Sequence, residues 1–564
     1  MRTSSDLSRS DNDRDLGTIG IRSDRVGHAG NLDNFIWMIS SYPQLSFAGA
    51  IASVVAHFEV SDHDYRVFRT HQIVVATAPS KIAILRTPIV FPDNRPLASV
   101  YSSRRWIARN SIHHTDYRPL LEPHIYNPHM PTRRSFLLAA TAAATAPSIA
   151  LQAQRPSSSP SPDLKLPPAI AALTSRRSEA TPIALAEREQ RLERARTLLA
   201  QHKIDALVIA TGTSLNYFTG LRWGQSERFF CWVLPVKGTP FVVCPVFEEG
   251  RVRERMEAKP ATLPAASTTK VYTWNEDENP YALLAKALKE AGITTGKIGI
   301  EERTQFAFSD GIAHASPSLT AVSGTPVTFG CRGVKSPAEL ALMRLANNIT
   351  LQVYEAVYKS AQPGMTNRQF SELVSAAYLR CGFPGDASCQ VGEYSALPHG
   401  SLQPQVIREN EIILIDDGCT VESYQSDMSR TFVFGKATDK QKQVFDIVHK
   451  AQAAALAAAR PGVPCHAIDD AARKVITDAD YGPDYKHFTH RLGHGIGMDG
   501  HEWPYLVRGN TTPLAAGMTF SDEPGIYITG EFGVRLEDDW VVTSSGGEMF
   551  TPQSPSLEEP FAKA

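Results

Sequence analysis

The sequence of 564 residues has few cysteines, no excess of one charge and no long apolar run. Its seven cysteines are scattered and form no C-x-x-C pair, which excludes a zinc knuckle and a dithiol redox motif. The formal net charge of −2 gives no electrostatic case for nucleic acid or anionic lipid as a partner. Apolar residues make up 42% and charged residues 21%, which is typical of globular domains. We expect most cysteines to be buried as small apolar side chains. The alternative is that two of them form one disulfide in an oxidising compartment.

Residues 131–153, PTRRSFLLAATAAATAPSIALQA, have the basic, apolar and small-residue layout of a secretory signal. Arg133 and Arg134 precede Phe136-Leu137, and this pair resembles a twin-arginine signal. The run is too short to span a bilayer, so we expect no stable membrane insertion. The alternative is a buried, alanine-rich helix. We predict export to the periplasm, or a cytoplasmic protein if the signal is not used.

This signal is preceded by residues 1–129 and by Met130, where a start codon is expected. The histidines in 1–129 have no coherent ligand spacing. We therefore interpret 1–129 as a spurious or disordered upstream extension that is absent from the working protein. A Ser/Pro-rich linker is predicted at 154–181, after the signal at 130–153.

The remaining chain is long enough for two domains. In 182–332, strand-like and helix-like segments alternate, which predicts an α/β domain. In 333–558, helices and strands mix without strict alternation, which favours an α+β domain. Three helix starts there have a Ser or Thr followed three residues later by Glu or Gln, which predicts capping boxes; they are Ser336, Thr366 and Thr438.

Four carboxylates interrupt apolar, strand-like runs of the second domain: Asp416, Asp427, Glu523 and Glu537. Glu523 lies in the run MTFSDEPGIYI, which predicts one strand. A carboxylate in such a place is costly unless it is paired or bound to a cation. With His494 in a glycine-rich segment, they would form a dense negative cluster that needs positive charge within it. Each residue alone has a structural explanation, and their joint order and spacing is what predicts a site for two divalent cations.

The motifs IDDG, SDMSRTF, HRLGHGIGMDGHE, SDEPGIYI and GVRLEDD together resemble the pita-bread metallopeptidase family. That family includes Xaa-Pro aminopeptidases, prolidases and methionine aminopeptidases, with creatinase as a metal-free relative. The resemblance spans about 185–558, and it implies an α+β pita-bread catalytic domain after a smaller α/β, creatinase-type N-terminal domain. It also implies that Asp416, Asp427, His494, Glu523 and Glu537 are the metal ligands.

The same resemblance assigns roles to further side chains. His399 corresponds to a histidine that contacts substrate near the scissile carbonyl, and His501 to one that stabilises the tetrahedral intermediate. His490 lies where the family lines the entry pocket, and Arg535 fits a role at the substrate end or behind the ligands. For His490 and Arg535 a purely structural role stays open.

Four carboxylates and one imidazole form an oxygen-rich donor set, which favours manganese or cobalt over zinc. Two such metals would bridge a water and lower its pKa, and the resulting hydroxide would attack the peptide carbonyl while Glu523 relays the proton. The resemblance implies an exopeptidase, a peptide substrate with proline at its second position, and a homodimer. The sequence is compatible with both a dipeptidase and an aminopeptidase.

Three alternatives share the fold. A creatinase-like amidinohydrolase works without metal, and a non-catalytic binding member has lost ligands, whereas all five ligands are retained here. A methionine aminopeptidase lacks the N-terminal α/β domain that 182–332 predicts.

Overall fold

The computed structural model describes residues 166–257 and 269–562, together with three strands nearer the N-terminus. The chain divides into two compact units, 1–147 and 148–564. In the first unit, three antiparallel strands pair in chain order, namely β1 (Val54–His57), β2 (His71–Ala78) and β3 (Lys81–Thr87). These strands fall within the predicted upstream extension, whose absence from the working protein stays a prediction. The predicted signal lies outside the described residues.

The second unit begins, within its described part, with a short helix, α1 (Pro168–Ala171). This helix lies in the segment predicted as a linker, where the sequence changes from Ser/Pro-rich to apolar. Ile170 is fully buried, and Arg380 donates hydrogen bonds to the carbonyl oxygens of Ala171 and Leu173. The last part of the predicted linker is therefore bound to the C-terminal domain, 333–558, through Arg380.

The first domain of this unit contains one six-stranded mixed sheet with the order β7-β6-β5-β4-β8-β9. Its strands are β4 (Ala206–Ile209), β5 (Cys231–Pro235), β6 (Phe241–Pro245), β7 (Lys270–Trp274), β8 (Gly296–Ile300) and β9 (Leu319–Ser323). Its helices are α2 (Leu185–His202), α3 (Thr213–Thr219), α4 (Glu249–Glu257), α5 (Pro280–Glu290), α6 (Phe306–Ala315) and α7 (Thr325–Arg332). Strands β4, β5 and β6 are buried along their whole length, as their uninterrupted apolar runs predict.

The second domain contains four long helices: α8 (Pro337–Tyr358), α9 (Asn367–Cys381), α10 (Asp439–Ala458) and α11 (Cys465–Ile476). The three predicted capping boxes, at Ser336, Thr366 and Thr438, are all present with both reciprocal hydrogen bonds. Each box satisfies backbone N–H groups that have no partner within the helix. The helix starts were therefore readable from the sequence.

The strands of this domain form small antiparallel sheets, the two largest having the orders β10-β11-β14 and β16-β15-β17-β20-β21. In chain order they are β10 (Ser388–Val391), β11 (Ile413–Asp417), β12 (Thr420–Val421), β13 (Tyr424–Gln425), β14 (Met428–Phe432), β15 (Gly493–Gly495), β16 (Glu502–Leu506), β17 (Thr519–Asp522), β18 (Gly525–Ile528), β19 (Phe532–Arg535), β20 (Asp538–Val542) and β21 (Gly547–Met549). Strands β12 and β13 pair with each other, as do β18 and β19.

The apolar run MTFSDEPGIYI, predicted as one strand, is two strands that belong to different sheets. The break falls at Glu523-Pro524, because proline has no N–H to donate to a strand ladder. The prediction of one continuous strand was wrong, and the break leaves Glu523 at a strand end.

All seven cysteines are buried and unpaired, as predicted for most of them. Among the described residues, no helix combines the length and apolar character needed to cross a membrane.

Candidate metal centre

Two of the predicted ligands come from neighbouring strands of the β10-β11-β14 sheet. Asp416 lies at the end of β11 and pairs across the ladder with Ser429 of β14. Asp427 directly precedes β14, and the β12–β13 hairpin makes the connection between the two strands. Antiparallel pairing thus brings together two carboxylates that are eleven positions apart in the sequence.

The other three predicted ligands come from the five-stranded sheet. His494 is in the middle of β15, which pairs with β17. Glu523 follows the last residue of β17, and Glu537 precedes the first residue of β20. Since Asp522 and Asp538 are directly paired, Glu523 and Glu537 lie just beyond the same end of that ladder.

These five side chains form two donor groups that share Glu537. One consists of Asp416, Asp427 and Glu537, and the other of His494, Glu523 and Glu537; within each, the donor atoms lie within 4.8 Å of one another. The groups meet a second time at His494, whose Nε2 lies 3.7 Å from Asp427 Oδ2 and 3.3 Å from Glu523 Oε1. Two adjacent cation positions with a common carboxylate fit this arrangement.

The charge of the cluster also fits cations. Burial, and then the negative charges of Asp416, Asp539 and Glu523, raise the pKa of Asp427 well above its usual range. Burial, and then the negative charges of Asp427, Glu523 and Asp416, raise the pKa of Glu537 in the same way. Carboxylates so close together resist joint ionisation until positive charge lies between them.

The imidazole of His494 has the orientation of a metal ligand. Its Nδ1 lies 3.1 Å from the carbonyl oxygen of Gly495, which can only accept, so Nδ1 carries the proton of the neutral ring. The lone pair of Nε2 then points at Glu523 and Asp427. A lone pair that faces carboxylate oxygens is repelled by them unless a cation lies between, and a backbone bond of this kind commonly orients histidine ligands.

Arg535 lies behind the first donor group. Its guanidinium contacts Asp416 at 2.7 Å, and its Nε donates to Ser429 Oγ at 2.8 Å. Ser429 Oγ in turn lies 2.8 Å from Asp416 Oδ1 and 2.7 Å from Glu537 Oε2. Arg535 also donates to Tyr527 Oη at 2.9 Å. In the structure, the predicted role of Arg535 behind the ligands is therefore the one that its contacts support.

His501 lies beside His494, with 3.8 Å between the ring centroids. Burial, and then the neighbouring His494 ring and Arg491 guanidinium, lower the pKa of His501 to about 4. The guanidinium of Arg491 lies 3.2 Å from Nδ1 of His501 and can only donate, so the neutral ring carries its proton on Nε2. His501 is thus a neutral hydrogen-bond donor at the edge of the cluster.

The remaining two predicted residues lie around the same site. His490 has its Nε2 2.8 Å from Tyr527 Oη and its Nδ1 3.8 Å from Glu523 Oε2. His399 is exposed, and the carbonyl oxygen of Pro398 beside it accepts a hydrogen bond from Arg535. All nine predicted side chains thus belong to one region of the domain.

Sequence reasoning missed three side chains that organise the cluster, namely Ser429, Tyr527 and Asp539. Asp539 accepts hydrogen bonds from the backbone N–H of Asp427 and from Asn347 Nδ2. Burial raises the pKa of Asp539 to about 7. A signal for Asp539 was present, because it is another carboxylate in an apolar strand, whereas a serine or a tyrosine in a strand is ordinary.

Comparisons with known proteins identify the family of both domains. Residues 341–544 match the model of metallopeptidase family M24, and residues 191–334 match that of the creatinase/prolidase N-terminal domain. A Xaa-Pro dipeptidase of Lactobacillus delbrueckii subsp. lactis is 31% identical over 386 residues, which are 65% of this chain and 98% of the relative.

Solved structures give the same result. A dipeptidase of Mycobacterium ulcerans is similar with a TM-score of 0.62 and 32% identity, over 67% of this chain and 99% of the other. An X-Pro aminopeptidase of Thermotoga maritima is similar with a TM-score of 0.56 and 28% identity, over 65% and 99%. The predicted pita-bread catalytic domain with a creatinase-type N-terminal domain is confirmed. The chain belongs to metallopeptidase family M24.

Proposed function

We propose that the protein is a two-metal exopeptidase that hydrolyses the N-terminal Xaa-Pro bond of peptides. The observation that carries the proposal is the pair of donor groups that share Glu537. Glu537 and Asp427 would contact both metals, Asp416 would complete one position, and His494 with Glu523 would complete the other. The relatives named as Xaa-Pro dipeptidase and X-Pro aminopeptidase support the choice of substrate.

The donor set favours manganese. Carboxylate oxygens outnumber the single imidazole, and such sites suit harder ions, with cobalt and zinc as the other candidates. When bound, the metals would polarise the scissile carbonyl and lower the pKa of a water molecule.

Side chains of the protein would stabilise the developing negative charge, transfer the proton and contact the substrate. The Nε2–H of His501 would donate to the oxygen on which negative charge develops. Glu523 would accept the proton of the attacking water and pass it to the leaving amine. His399 would contact the substrate near the scissile carbonyl, and His490 would line its entry.

The experiment combines metal analysis with hydrolysis of matched peptides. We expect the wild-type protein to contain manganese or to be activated by it, and to cleave Ala-Pro or Ala-Pro-Ala faster than the same peptides with alanine in place of proline. Comparison of the dipeptide with the tripeptide separates a dipeptidase from an aminopeptidase. His494→Ala and Glu537→Ala should each abolish cleavage and reduce the metal content.

Glu548→Ala is a matched control, because Glu548 is an exposed carboxylate of the same sheet that pairs with Arg344. It should retain both activity and metal. Full activity in the wild-type protein after exhaustive treatment with chelator would refute the metal mechanism. Hydrolysis of creatine without peptide hydrolysis would instead favour a creatinase-like amidinohydrolase. If the protein hydrolysed neither creatine nor peptides, a non-catalytic binding member would be favoured.

A further inference from the structure

The loop between β15 and β16 carries His501 at its end, and that loop is in contact with the N-terminal domain. The loop runs from Ile496 to His501, with Glu502 as the first residue of β16. Its position decides where His501 lies relative to His494, because His494 is in β15 and His501 directly precedes β16, the partner of β15.

Asp499 receives most of these contacts. Thr213 Oγ1, on the first residue of α3, donates to Asp499 Oδ1 at 2.6 Å. Arg303, in the segment after β8, lies 3.2 Å from the same oxygen. Arg332, the last residue of α7, lies 2.6 Å from Asp499 Oδ2. Three separate elements of the N-terminal domain thus converge on one carboxylate of the catalytic domain.

Glu502 fixes the other end of the loop. Arg332 lies 2.5 Å from its Oε1, and Lys335, at the junction of the two domains, lies 3.1 Å from its Oε2. Glu502 Oε1 also accepts the backbone N–H groups of Met498 and Asp499. These charged side chains are at most 5% exposed, so their attraction is weakly screened by solvent.

One contact reaches the histidine itself. Arg303 donates from Nη2 to the carbonyl oxygen of His501 at 2.9 Å, while its Nη1 faces Asp499. A guanidinium can bind both groups at once because its N–H donors have a fixed fork geometry. The backbone of His501 is therefore held directly from the N-terminal domain of the same chain.

We propose that Arg303 and Arg332 of the N-terminal domain are positioning residues that hold His501 in place. Arg303 acts on the His501 carbonyl oxygen and on Asp499, and Arg332 acts through Asp499 and Glu502. The proposal rests on the proposed function only for the role of His501 in hydrolysis. The N-terminal domain would then contribute to the reaction without contacting the substrate. A misplacement of a reacting group by about 1 Å can cost on the order of a hundredfold in rate.

The test uses Arg303→Gln in the full chain, because Arg303 is half-exposed and its loss should leave the fold intact. We expect kcat to fall on the order of tenfold with KM within about twofold of wild type. In a His501→Ala background, Arg303→Gln should cause no further loss, since its effect acts through His501. Arg253→Gln, which breaks an exposed ion pair with Glu249 in the same domain, should behave as wild type.

Hydrogen exchange separates the two proposals, because it can be measured on any folded protein. The amides of 496–501 should exchange faster in Arg303→Gln than in wild type or Arg253→Gln. Unchanged exchange in this loop, an unchanged kcat, or an equal loss of kcat in the His501→Ala background would overturn the positioning role. Failure of the wild-type protein to cleave Xaa-Pro peptides, with faster loop exchange in Arg303→Gln, would overturn only the proposed function.

Discussion

At the scale of single residues, Ser429 joins the charged groups of the site. Its hydroxyl lies within hydrogen-bonding distance of Asp416, Glu537 and the guanidinium of Arg535, and the residue is fully buried. A hydroxyl can accept from Arg535 while it donates to one of the carboxylates. Ser429 thus sets the distance between two proposed ligands from different sheets.

Replacement of Ser429 by alanine should weaken metal binding. The change removes the partner of Arg535 Nε and frees two ligand carboxylates, and loss of groups that orient ligands typically costs about 10–100-fold in metal affinity. Competition with a chelator measures the affinity. Ser375→Ala, which removes a half-buried helix hydroxyl away from these carboxylates, is the control. An affinity equal to wild type in Ser429→Ala would show that the hydroxyl does not orient the ligands.

The residues found from sequence and those missed differ in a physical way. Asp416 and Glu537 stand out because a carboxylate in an apolar strand needs a partner or a cation. Ser429 and Tyr527 do not stand out, because both residue types are common in strands and their role depends on what the fold places beside them. The sequence therefore reveals the charged donors more readily than the neutral groups that orient them.

At the scale of elements, β15 approaches β17 closely at Gly493. A Cβ atom at that position would fall inside the van der Waals distance of the carbonyl oxygen of Ser521. His494, the next residue, donates its backbone N–H to Ser521 Oγ, and that hydroxyl lies 3.2 Å from Glu523 Oε1. The missing side chain at Gly493 thus lets one strand pair bring two proposed ligands together.

Gly493→Ala should reduce the metal content of a protein that still folds. The added methyl group pushes β15 away from β17 and separates His494 from Glu523, with a loss of stability of about 1–3 kcal/mol. Metal analysis and urea denaturation measure the two effects. In Gly250→Ala, where no atom beyond the local helix backbone lies within 4 Å of the added Cβ, the metal content should stay at the wild-type level and the stability should not fall. Normal metal content in Gly493→Ala would mean that the strands can part without moving the site.

The elements differed in how far they could be predicted. Helix starts such as Ser336 were predictable, because a capping box is a local pattern. The partners of the strands were not, because pairing depends on residues far apart in the chain, such as Asp416 and Ser429 on either side of a hairpin. The run around Glu523 shows the limit, since its apolar pattern continued across a proline that ended the strand.

At the scale of the whole molecule, the junction of the two domains contains a buried carboxylate, Glu502, that forms ion pairs with the side chains of Arg332 and Lys335. Burial alone would raise the pKa of Glu502, but Arg332 and Lys335 outweigh it and hold the pKa at about 2, below its ordinary 4.5. Ionised Glu502 therefore stabilises the folded state above pH 4.5, and this contribution is lost as the pH falls towards 2.

Glu502→Gln should destabilise the protein near neutral pH by about 3 kcal/mol, because it leaves buried Lys335 without its charged partner and leaves Arg332 with Asp499 alone. The difference in free energy of unfolding from wild type should shrink as the pH falls from 4.5 towards 2. Denaturation with urea at a series of pH values measures it. A difference that stays constant over this range would contradict the assigned linkage.

We also propose that residues 130–153 direct export. Arg133→Lys combined with Arg134→Lys should keep the protein in the cytoplasm, which cell fractionation measures, because the paired arginines are the feature that the twin-arginine route reads. Arg176→Lys, outside the signal, should leave export unchanged. Mass spectrometry of the native protein tests the neighbouring segment: abundant peptides from 1–129 would contradict its interpretation as an upstream extension.

The burial of all seven thiols bears on whether the protein should fold before or after the proposed export. Burial raises the pKa of Cys465 to about 11 and those of Cys244, Cys331 and Cys419 to about 12, so the folded chain presents almost no thiolate to an oxidant. An unfolded chain would expose all seven and could link them wrongly in an oxidising compartment. On the proposed export route, folding before export would prevent this, because the thiols would be buried before they meet an oxidant.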